Sequence, residues 1–596
     1  MSTLKHRILK NVFGFDEFRG QQEAVIDTLL AGRNVLAVMP TGSGKSLCYQ
    51  VSALVSDGLT LVVSPLVALM RDQVAALKLS GVAAAAINSS QERDDNVAVW
   101  RDVAGGRVSI LYLAPERLMT ERMIAALQKL PVALIAVDEA HCISQWGPSF
   151  RPDYESLAQL GTLFPGVTIG AFTATADEAT RNDVVQKLLG GDARVFVQGF
   201  DRPNISLTVV SKTSGPTQLL RFMADHQGET GIVYCLSRKD TEETASRLRA
   251  AGFKAIHYHA GMQPAAREAA QNTFMSETEV VVCATIAFGM GIDKPDVRFV
   301  FHLDMPGSLE AYYQEIGRAG RDGLPAAAHM LFGLGDIAQR RRFVEESNAD
   351  DMAKRRDHKR LDALVAYAEA PSCRRQMLLA YFGESSGPCG NCDICRDPRE
   401  LTDGSNEGRT VLAAILATGE RFGPSHIADV LRGSETERIA QFNHARLSAF
   451  GSGKQLSRTN WLTLMRQMVG SGFLRIDVSG YGAMKLGPRA KGLLASEDNF
   501  LYRAETLRGG KRLRKKAEAA VQNDAPPELL TRLKALRRRI AEARRVPPYV
   551  IFSDRSLIDM ASKAPKTEAE FAEVHGVGEA KLRDLAKAFL AEIQTG

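Results

Sequence analysis

The chain has 596 residues, of which 45% are hydrophobic and 24% are charged, and its formal net charge is +6. These proportions are those of a globular protein, and the length excludes a single hydrophobic core, so we expect three to five domains. The first eleven residues are polar and basic, and no apolar run is long enough to span a bilayer. We therefore expect no signal peptide, no membrane segment and a cytoplasmic location.

Positive charge is concentrated near the C-terminus. Residues 503–545 contain fourteen Lys or Arg and five Asp or Glu, a local excess of +9 that leaves the rest of the chain slightly acidic. A run of this kind is often a solvated helix face. Beside a nucleotide site, it favours a phosphate polymer as the partner.

The first motif, Phe-Gly-Phe-x-x-Phe-Arg-x-x-Gln, spans residues 13–22. An aromatic ring, an arginine and a glutamine at this place suit stacking on a base and hydrogen bonding to its edge. The alternative is a capped first helix with Phe13 and Phe18 in the core. Taken alone, the residue types favour that alternative.

The chain is organised around residues 35–46, Val-Leu-Ala-Val-Met-Pro-Thr-Gly-Ser-Gly-Lys-Ser. The apolar residues predict a buried parallel strand, the glycines a turn, and the residues after them a helix. Gly42 and Gly44 let backbone N–H groups approach phosphate oxygens, and the helix start adds partial positive charge. Lys45 is then placed for the β- and γ-phosphates, and Ser46 for Mg²⁺.

Between residues 59 and 176, short apolar runs alternate with helical segments, which predicts a parallel sheet with functional loops at the carboxyl ends of its strands. One of these ends carries Asp138 and Glu139 in the motif Asp-Glu-Ala-His. The first carboxylate is suited to hold Mg²⁺ through water, and the second to polarise the water that attacks the γ-phosphate. Their position after a buried strand, downstream of Lys45, favours catalysis over a surface pair of acids.

A loop rich in aromatic residues follows at residues 141–154. Its glycine and prolines preclude a continuous helix, and it holds three aromatic side chains and an arginine. Aromatic side chains on a loop stack on unpaired bases, at about 1–3 kcal/mol each. Such residues also tuck into cores, and composition alone gives only weak support for stacking.

A second α/β unit begins near residue 204 and contains no second Gly-Lys-Ser. Its last motif, Gln-Glu-Ile-Gly-Arg-Ala-Gly-Arg-Asp-Gly, contains Arg318 and Arg321. Two arginines three apart on one helical face, separated by glycines, are suited to approach a phosphate held by another domain. One ATP bound between the two units, with Arg321 completing its site, would make closure and hydrolysis a single event.

With these motifs together, the sequence closely resembles superfamily 2 helicases of the RecQ family over essentially its whole length. Residues 39–46 are similar to motif I of this superfamily, which also accounts for Met39 where phosphate loops usually have glycine or alanine. The first motif resembles the adenine-recognition motif 0, with Gly20-Gln21 in place of the usual Pro-Gly. Motifs II, III and V are resembled by Asp-Glu-Ala-His, Phe-Thr-Ala-Thr-Ala and Ala-Phe-Gly-Met-Gly-Ile-Asp-Lys-Pro, respectively. The arginine motif resembles motif VI.

The residues and the resemblance together give the candidate sites. Nucleotide binding is expected from Phe15, Arg19 and Gln22 at the adenine, and from Thr41, Gly42, Ser43, Gly44, Lys45 and Ser46 at the phosphates. Catalysis is expected from Lys45, Asp138, Glu139, Arg318 and Arg321, with Arg321 as arginine finger and Mg²⁺ held by Ser46 and Asp138. Coupling to single-stranded DNA is expected from His141, Trp146, Phe150 and Arg151. The Asp-Glu-Ala-His form, unlike the Asp-Glu-Ala-Asp of many RNA helicases, favours a DNA substrate.

Four of the eight cysteines lie close together, at Cys373, Cys389, Cys392 and Cys395. Four thiolates complete a closed tetrahedral Zn²⁺ site, whereas Cys-x2-Cys-x2-Cys and one further cysteine cannot all pair as disulfides without strain. A reducing compartment also favours metal. The resemblance implies a zinc module at this place, and we expect zinc to be structural.

Helices followed by a short hairpin, with its turn at residues 479–482, are predicted over residues 408–494. This pattern suggests a winged helix and resembles the duplex-binding domain of the family. Tyr481 at the predicted tip either wedges against a base pair or, as the short hairpins of bacterial relatives indicate, takes no part in strand separation. Residues 498–527 read as a linker. The helical end resembles an HRDC domain, and the basic run Arg537-Arg538-Arg539 suits auxiliary contacts with phosphates.

The predicted fold is α/β, with two tandem RecA-like parallel-sheet motor domains, a zinc-binding module, a winged helix and a small helical HRDC-like domain. The predicted boundaries are 1–205 and 206–335 for the motor domains, 336–400 for the zinc module, 401–500 for the winged helix, 501–527 for a basic linker and 528–596 for the last domain.

The resemblance implies an ATP-dependent 3′–5′ DNA helicase of recombination, repair and the SOS response, with ATP, Mg²⁺ and Zn²⁺. Its expected partners are single-stranded and forked duplex DNA and the acidic tail of single-stranded DNA-binding protein, and we expect a nucleoid-associated monomer. Two alternatives stay open. One is an RNA-remodelling ATPase; the other is a passive DNA-binding scaffold with a vestigial nucleotide site, against which intact Lys45, Glu139 and Arg321 argue.

Overall fold

The computed structural model describes residues 2–40, 42–65, 67–88, 91–144, 152–174, 176, 178–289, 294–347, 349–370, 372–398, 401–477, 483–503, 526–544 and 546–595. Predictions about Thr41, Trp146, Phe150, Arg151 and Tyr481, and about most of the basic linker, lie outside the described residues. Within the described ranges, no helix combines the length and the apolar character needed to cross a lipid bilayer.

The first lobe is built on a seven-stranded parallel sheet in the order β3-β4-β2-β5-β6-β1-β7. Its strands are β1 Val35–Val38, β2 Leu59–Val63, β3 Ala84–Ile87, β4 Ile110–Leu113, β5 Val132–Val137, β6 Thr168–Thr173 and β7 Arg194–Val197. Along β1, Leu36 and Val38 enter one hydrophobic cluster, and Val35 and Ala37 enter another. The strand is therefore buried on both faces, which is why it is a continuous apolar run.

The helices of the first lobe cover both faces of this sheet. They are α1 Ser2–Asn11, α2 Gln22–Leu30, α3 Lys45–Val55, α4 Val67–Leu79, α5 Arg93–Ala104, α6 Pro115–Leu118, α7 Glu121–Leu127, α8 Pro152–Glu155, α9 Leu160–Leu163 and α10 Glu178–Leu188.

The second lobe is a six-stranded parallel sheet in the order β10-β11-β9-β12-β13-β8. Its strands are β8 Ile205–Ser211, β9 Gly231–Tyr234, β10 Ala255–Tyr258, β11 Val281–Ala284, β12 Phe299–His302 and β13 Ala326–Phe332. Its helices are α11 Gly215–Ala224, α12 Arg238–Ala250, α13 Pro264–Ser276 and α14 Leu309–Ile316. The two parallel sheets confirm the predicted pair of motor domains.

The zinc module packs against the segment that connects the two sheets. Its helices are α15 Leu334–Glu345, α16 Asp351–Glu369, α17 Arg374–Tyr381 and α18 Asp393–Arg396. The rings of Phe200 and Phe382 are stacked, with centroids 4.5 Å apart. Arg375 Nη1 donates to Asp201 Oδ1 at 2.8 Å. These contacts brace the connection between the lobes.

The winged-helix domain combines helices with two short antiparallel ribbons. Its elements are β14 Leu401–Asp403, α19 Ser405–Ala417, α20 Pro424–Arg432, α21 Glu437–Gln441, α22 Arg458–Gly470, β15 Leu474–Asp477, β16 Ala483–Leu486, α23 Ala490–Leu494 and β17 Leu501–Arg503. The predicted hairpin is the β15–β16 ribbon. β14 pairs with β17, so residues 501–503 belong to this domain although the predicted boundary was 500. Trp461 is fully buried in its core and donates to the Gly453 carbonyl at 2.8 Å.

The C-terminal domain is a bundle with its own hydrophobic core. Its helices are α24 Pro527–Arg544, α25 Pro548–Ile551, α26 Asp554–Lys563, α27 Glu568–Ala572 and α28 Glu579–Gln594. Arg537 is buried and donates to Asp554 Oδ1 at 2.6 Å, so this arginine holds the bundle together and is not available for DNA phosphates, contrary to the sequence prediction. The domain docks on the first lobe, where Tyr549 Oη donates to Asp72 Oδ2 at 3.1 Å.

Candidate nucleotide-hydrolysis site between the lobes

The phosphate loop connects a buried strand to a helix in the first lobe. It follows β1, and α3 begins at Lys45 directly after Gly44, whose φ of 80° lies in the left-handed region that glycine adopts without strain. Lys45 Nζ donates to the Met39 carbonyl at 3.1 Å, so the ammonium group is held over the loop. The Met39 side chain is fully buried in the core beneath, which explains why a long side chain is tolerated at the start of the motif.

The first motif, at residues 13–22, is fixed against the phosphate loop by one glutamine. Gln22 Nε2 donates to the carbonyl oxygens of Ser43 at 2.8 Å and of Gly44 at 3.3 Å. Gln22 Oε1 accepts the backbone N–H of Arg19 at 2.9 Å. The motif and the phosphate loop are therefore one connected unit.

The C-terminal domain covers the aromatic residue of this motif. The ring centroids of Phe15 and His575 are 5.3 Å apart. The Gly576 N–H donates to the Gly14 carbonyl at 3.0 Å. Gly14 has a φ of 71°, and a Cβ there would lie 2.5 Å from the Val577 nitrogen, so this close approach requires glycine.

Motif II places two carboxylates at the end of β5. Asp138 Oδ1 accepts the Glu139 N–H at 3.0 Å. Glu139 has a φ of 50°, a conformation that costs a non-glycine residue about 1–3 kcal/mol and is found at functional sites. His141 Nδ1 lies 3.4 Å from Glu139 Oε2 and 2.8 Å from Oγ1 of Thr173, the last residue of β6. His141 thus connects the acidic motif to motif III.

The arginine motif differs from its prediction in local structure. α14 ends at Ile316, so Arg318 and Arg321 lie in the turn after the helix and not on one helical face. The helix ends because Gly317 caps it and Gly320 takes a φ of 58°. Both arginine side chains nevertheless line the same cavity.

Arg202 holds the turn that carries these arginines, and no motif pointed to it. It lies in the connection between the lobes, and burial lowers its pKa. Its guanidinium group donates to the carbonyl oxygens of Gly317 at 3.4 Å, Ala319 at 3.0 Å and Gly320 at 2.9 Å. Since this role depends on a contact with residues more than 110 positions away, no local sequence signal reveals it.

Both lobes line one cavity of about 370 Å³. Its wall includes Pro40, Gly42, Gly44, Lys45, Ser46, Asp138, Glu139 and His141 from the first lobe, Gly289, Pro295, Gln314, Arg318 and Arg321 from the second, and Tyr549 from the C-terminal domain. A Cβ on Gly42 would lie 3.5 Å from the Arg321 Cα, so the arginine turn faces the phosphate loop directly. Phe15 and Arg19 are not part of this wall.

The four predicted zinc ligands lie together in the zinc module. One sulfur atom from each of Cys373, Cys389, Cys392 and Cys395 lies within 4.8 Å of the others. Burial opposes ionisation of Cys373, but N–H donors of Gln376 and Cys389 outweigh it and lower the pKa of Cys373 to about 7. Burial raises the pKa of Cys389 to about 12, and the neighbouring cysteines add to this rise. Four thiolates at this spacing need a cation among them, which fits tetrahedral Zn²⁺.

Comparison with known families matches successive parts of the chain. The matches are DEAD/DEAH box helicase at residues 19–184, helicase conserved C-terminal domain at 214–323, RecQ zinc-binding at 334–396, RQC domain at 398–509 and HRDC domain at 527–593. Their order agrees with the two lobes, the cysteine cluster, the winged helix and the C-terminal bundle.

Three bacterial proteins named ATP-dependent DNA helicase RecQ are similar to this chain over nearly its whole length. The protein of Haemophilus influenzae is 41% identical over 589 residues, covering 98% of this chain and 95% of that protein. The protein of Pasteurella multocida is 41% identical, with 98% and 93% covered. The protein of Bacillus subtilis is 36% identical, with 98% of each chain covered. Domain order, sequence identity and the geometry of the cleft together place the chain in the RecQ family of helicases.

Proposed function

We propose that this chain is an ATP-dependent DNA helicase that moves 3′ to 5′ along a single strand and unwinds duplex and forked DNA in recombination and repair. The observation that carries the proposal is the single cavity lined by Lys45 of the first lobe and Arg321 of the second. A nucleotide in this cavity touches both lobes, so their relative movement is coupled to its hydrolysis.

Each lobe supplies a different part of the chemistry. In the first, Lys45 neutralises the β- and γ-phosphates, and Glu139 accepts a proton from the attacking water. In the second, Arg321 stabilises charge that develops on the transferred phosphoryl group, and Arg318 assists from the same turn. An arginine in this role raises the rate of hydrolysis by about 10³–10⁵.

The base and the metal ion have their own candidate residues. Phe15 offers a ring for stacking, and Arg19 offers donors for the base edge. Gln22 would contact the base edge once its amide leaves the carbonyl groups of Ser43 and Gly44. Ser46 and Asp138 place two oxygen donors in the cavity, which suits Mg²⁺. When bound, Mg²⁺ would offset negative charge on the phosphates.

The loop after His141 is the proposed binding site for single-stranded DNA in the first lobe. His141 Nδ1 lies against both Thr173 and Glu139, so a strand bound near motif III would alter the position of the catalytic carboxylate through this ring. Trp146, Phe150 and Arg151 follow within ten residues of His141 in the sequence, and we assign them to stacking on and binding that strand.

We also propose a cellular setting and a protein partner. We place the protein at the nucleoid in the cytoplasm, as a monomer. The acidic tail of single-stranded DNA-binding protein is the proposed protein partner, and the support is the exposed basic side chains Arg438, Arg446 and Lys454 on the winged helix.

Strand displacement on 3′-tailed, 5′-tailed and blunt duplexes, in DNA and RNA versions, tests the proposal. We expect ATP-dependent displacement of the 3′-tailed DNA and of forks. Lys45→Ala should abolish it, and Lys187→Ala, a surface lysine paired with Asp183 on α10, should not. Equal activity on RNA would favour an RNA-remodelling ATPase, and displacement by Lys45→Ala would refute a motor driven by this site.

A further inference from the structure

A second group of metal-ligating side chains lies in the second lobe, apart from the cleft and the cysteine cluster. Glu242, His257 and His259 each offer one ligand atom, and these atoms lie within 4.8 Å of one another. Glu242 is on α12, His257 is on the edge strand β10, and His259 directly follows that strand. None of the three lines the nucleotide cavity.

The strand itself brings the two histidines together. Residues two apart on a strand face the same side, so both imidazoles point toward α12. Their ring planes are 21° apart, with centroids at 5.8 Å. Glu242 comes from the helix to meet them, and its Oε1 lies 2.9 Å from His259 Nε2.

The more buried of the two histidines, His259, approaches Glu242 through one ring nitrogen. His259 is only 5% exposed, and its Nδ1 is buried without a hydrogen-bond partner among the described residues. Glu242 Oε1 lies against the other ring nitrogen, so Nε2 is the atom of His259 that would bind an ion shared with Glu242.

We propose that Glu242, His257 and His259 form a second metal site, which binds a late divalent transition-metal ion, with Zn²⁺ as the first choice. Two imidazole nitrogens and one carboxylate oxygen are the donors that such ions prefer, whereas Mg²⁺ and Ca²⁺ prefer oxygen alone. The fourth position is left to water.

The required adjustment is small. Ligand atoms around tetrahedral Zn²⁺, at about 2.0–2.1 Å from the metal, lie about 3.3 Å from one another. Glu242 Oε1 and His259 Nε2, now 2.9 Å apart, must therefore separate by about 0.4 Å, and atoms up to 4.8 Å apart must approach by about 1.5 Å at most. The Glu242 side chain is 56% exposed and His257 is half-buried, so side-chain rotation supplies these adjustments without movement of the backbone. The bound ion would tie α12 to the end of β10 and stabilise the second lobe.

The number of zinc ions per chain tests the site. Full-length protein is dialysed against micromolar Zn²⁺, and bound metal is counted by mass spectrometry in the wild type, Glu242→Gln and His257→Ala. We expect two zinc ions in the wild type and one in each variant, with affinity for the second ion reduced at least about tenfold. Glu229→Gln is the matched control, since His226 and Glu229 form a similar pair at 2.7 Å in the same lobe, which no second histidine joins among the residues that the structure describes. It should keep two.

Cobalt substitution gives an independent readout of the ligands. The cysteine cluster should produce intense thiolate-to-cobalt absorption in every variant, and the wild type should add a weaker band of nitrogen and oxygen coordination that both variants lack. DNA-stimulated ATP hydrolysis confirms that each variant is folded. A single zinc ion in the wild type, or a second one that persists in both variants, overturns the proposal.

Discussion

Replacing Arg202 with alanine tests whether the arginine turn must be held in place for hydrolysis. The substitution removes three hydrogen bonds from a charged donor, at 3.4, 3.0 and 2.9 Å, each of the two shorter ones contributing about 1.5–3 kcal/mol. Asn204 Nδ2 still donates to the Gly320 carbonyl at 2.9 Å, so the turn is loosened and not lost. A displacement of about 1 Å at a catalytic group costs about 10² in rate. We therefore expect kcat to fall about 100-fold.

Nucleotide affinity should respond differently, because Lys45 and the phosphate loop belong to the other lobe. We expect the Kd of a fluorescent nucleotide to change by less than about threefold, which is below 1 kcal/mol. The assays are ATP hydrolysis at saturating ATP and single-stranded DNA, equilibrium binding, and thermal unfolding to confirm folding. Arg194→Ala is the control, an exposed arginine over the Phe196 ring on β7. A kcat within about threefold of wild type, or a parallel loss of affinity and kcat, would refute the reasoning.

Three further outcomes are expected. Phe15→Ala should raise KM for ATP about tenfold while kcat is retained, because base stacking contributes about 1–3 kcal/mol; hydrolysis rates across ATP concentrations measure this, and an unchanged KM contradicts it. Cys395→Ser should release zinc and lower the thermal stability of the zinc module before nucleotide binding is affected, which metal analysis and calorimetry follow; full zinc retention argues against it. Burial, together with the positive charges of Arg555 and Arg19, lowers the pKa of His575 to about 4, below its ordinary value of about 6.5. The neutral imidazole therefore favours docking of the C-terminal domain fully above about pH 6.5, and this contribution is lost as pH falls through about 4. Hydrogen exchange of the docked loop, corrected for intrinsic rate, should therefore accelerate on acidification, and equal protection at pH 7 and 4.5 would be inconsistent with this account.

Short-range patterns were sufficient for the parts of the fold that short stretches determine. The apolar run before Gly42 predicted β1 and the start of α3 because a buried parallel strand, a turn and a helix each have a local signature. The two apolar runs around residues 479–482 predicted the β15–β16 ribbon for the same reason. The spacing of the cysteines predicted their cluster, because the four ligands of the tetrahedral ion come from one short stretch of the chain.

Long-range contacts were beyond such patterns. The role of Arg202 depends on carbonyl groups more than 110 residues away, and backbone carbonyls have no sequence signature. The helix predicted to carry Arg318 ends at Ile316 because the glycines of the motif favour a turn once it lies at a domain interface. The basic run at residues 537–539 predicted a DNA contact for Arg537, but this side chain is buried against Asp554. The prediction failed because a basic run does not reveal which of its members faces the core.

The central claim is that one nucleotide is shared between the lobes, with Lys45 on one side and Arg321 on the other. The most direct measurement is the DNA-stimulated kcat of Arg321→Ala at saturating ATP, with the nucleotide Kd determined on the same sample. We predict a loss of about 10³-fold or more in kcat with Kd nearly unchanged. Hydrolysis at the wild-type rate would contradict it, because the second lobe would then contribute nothing to the reaction.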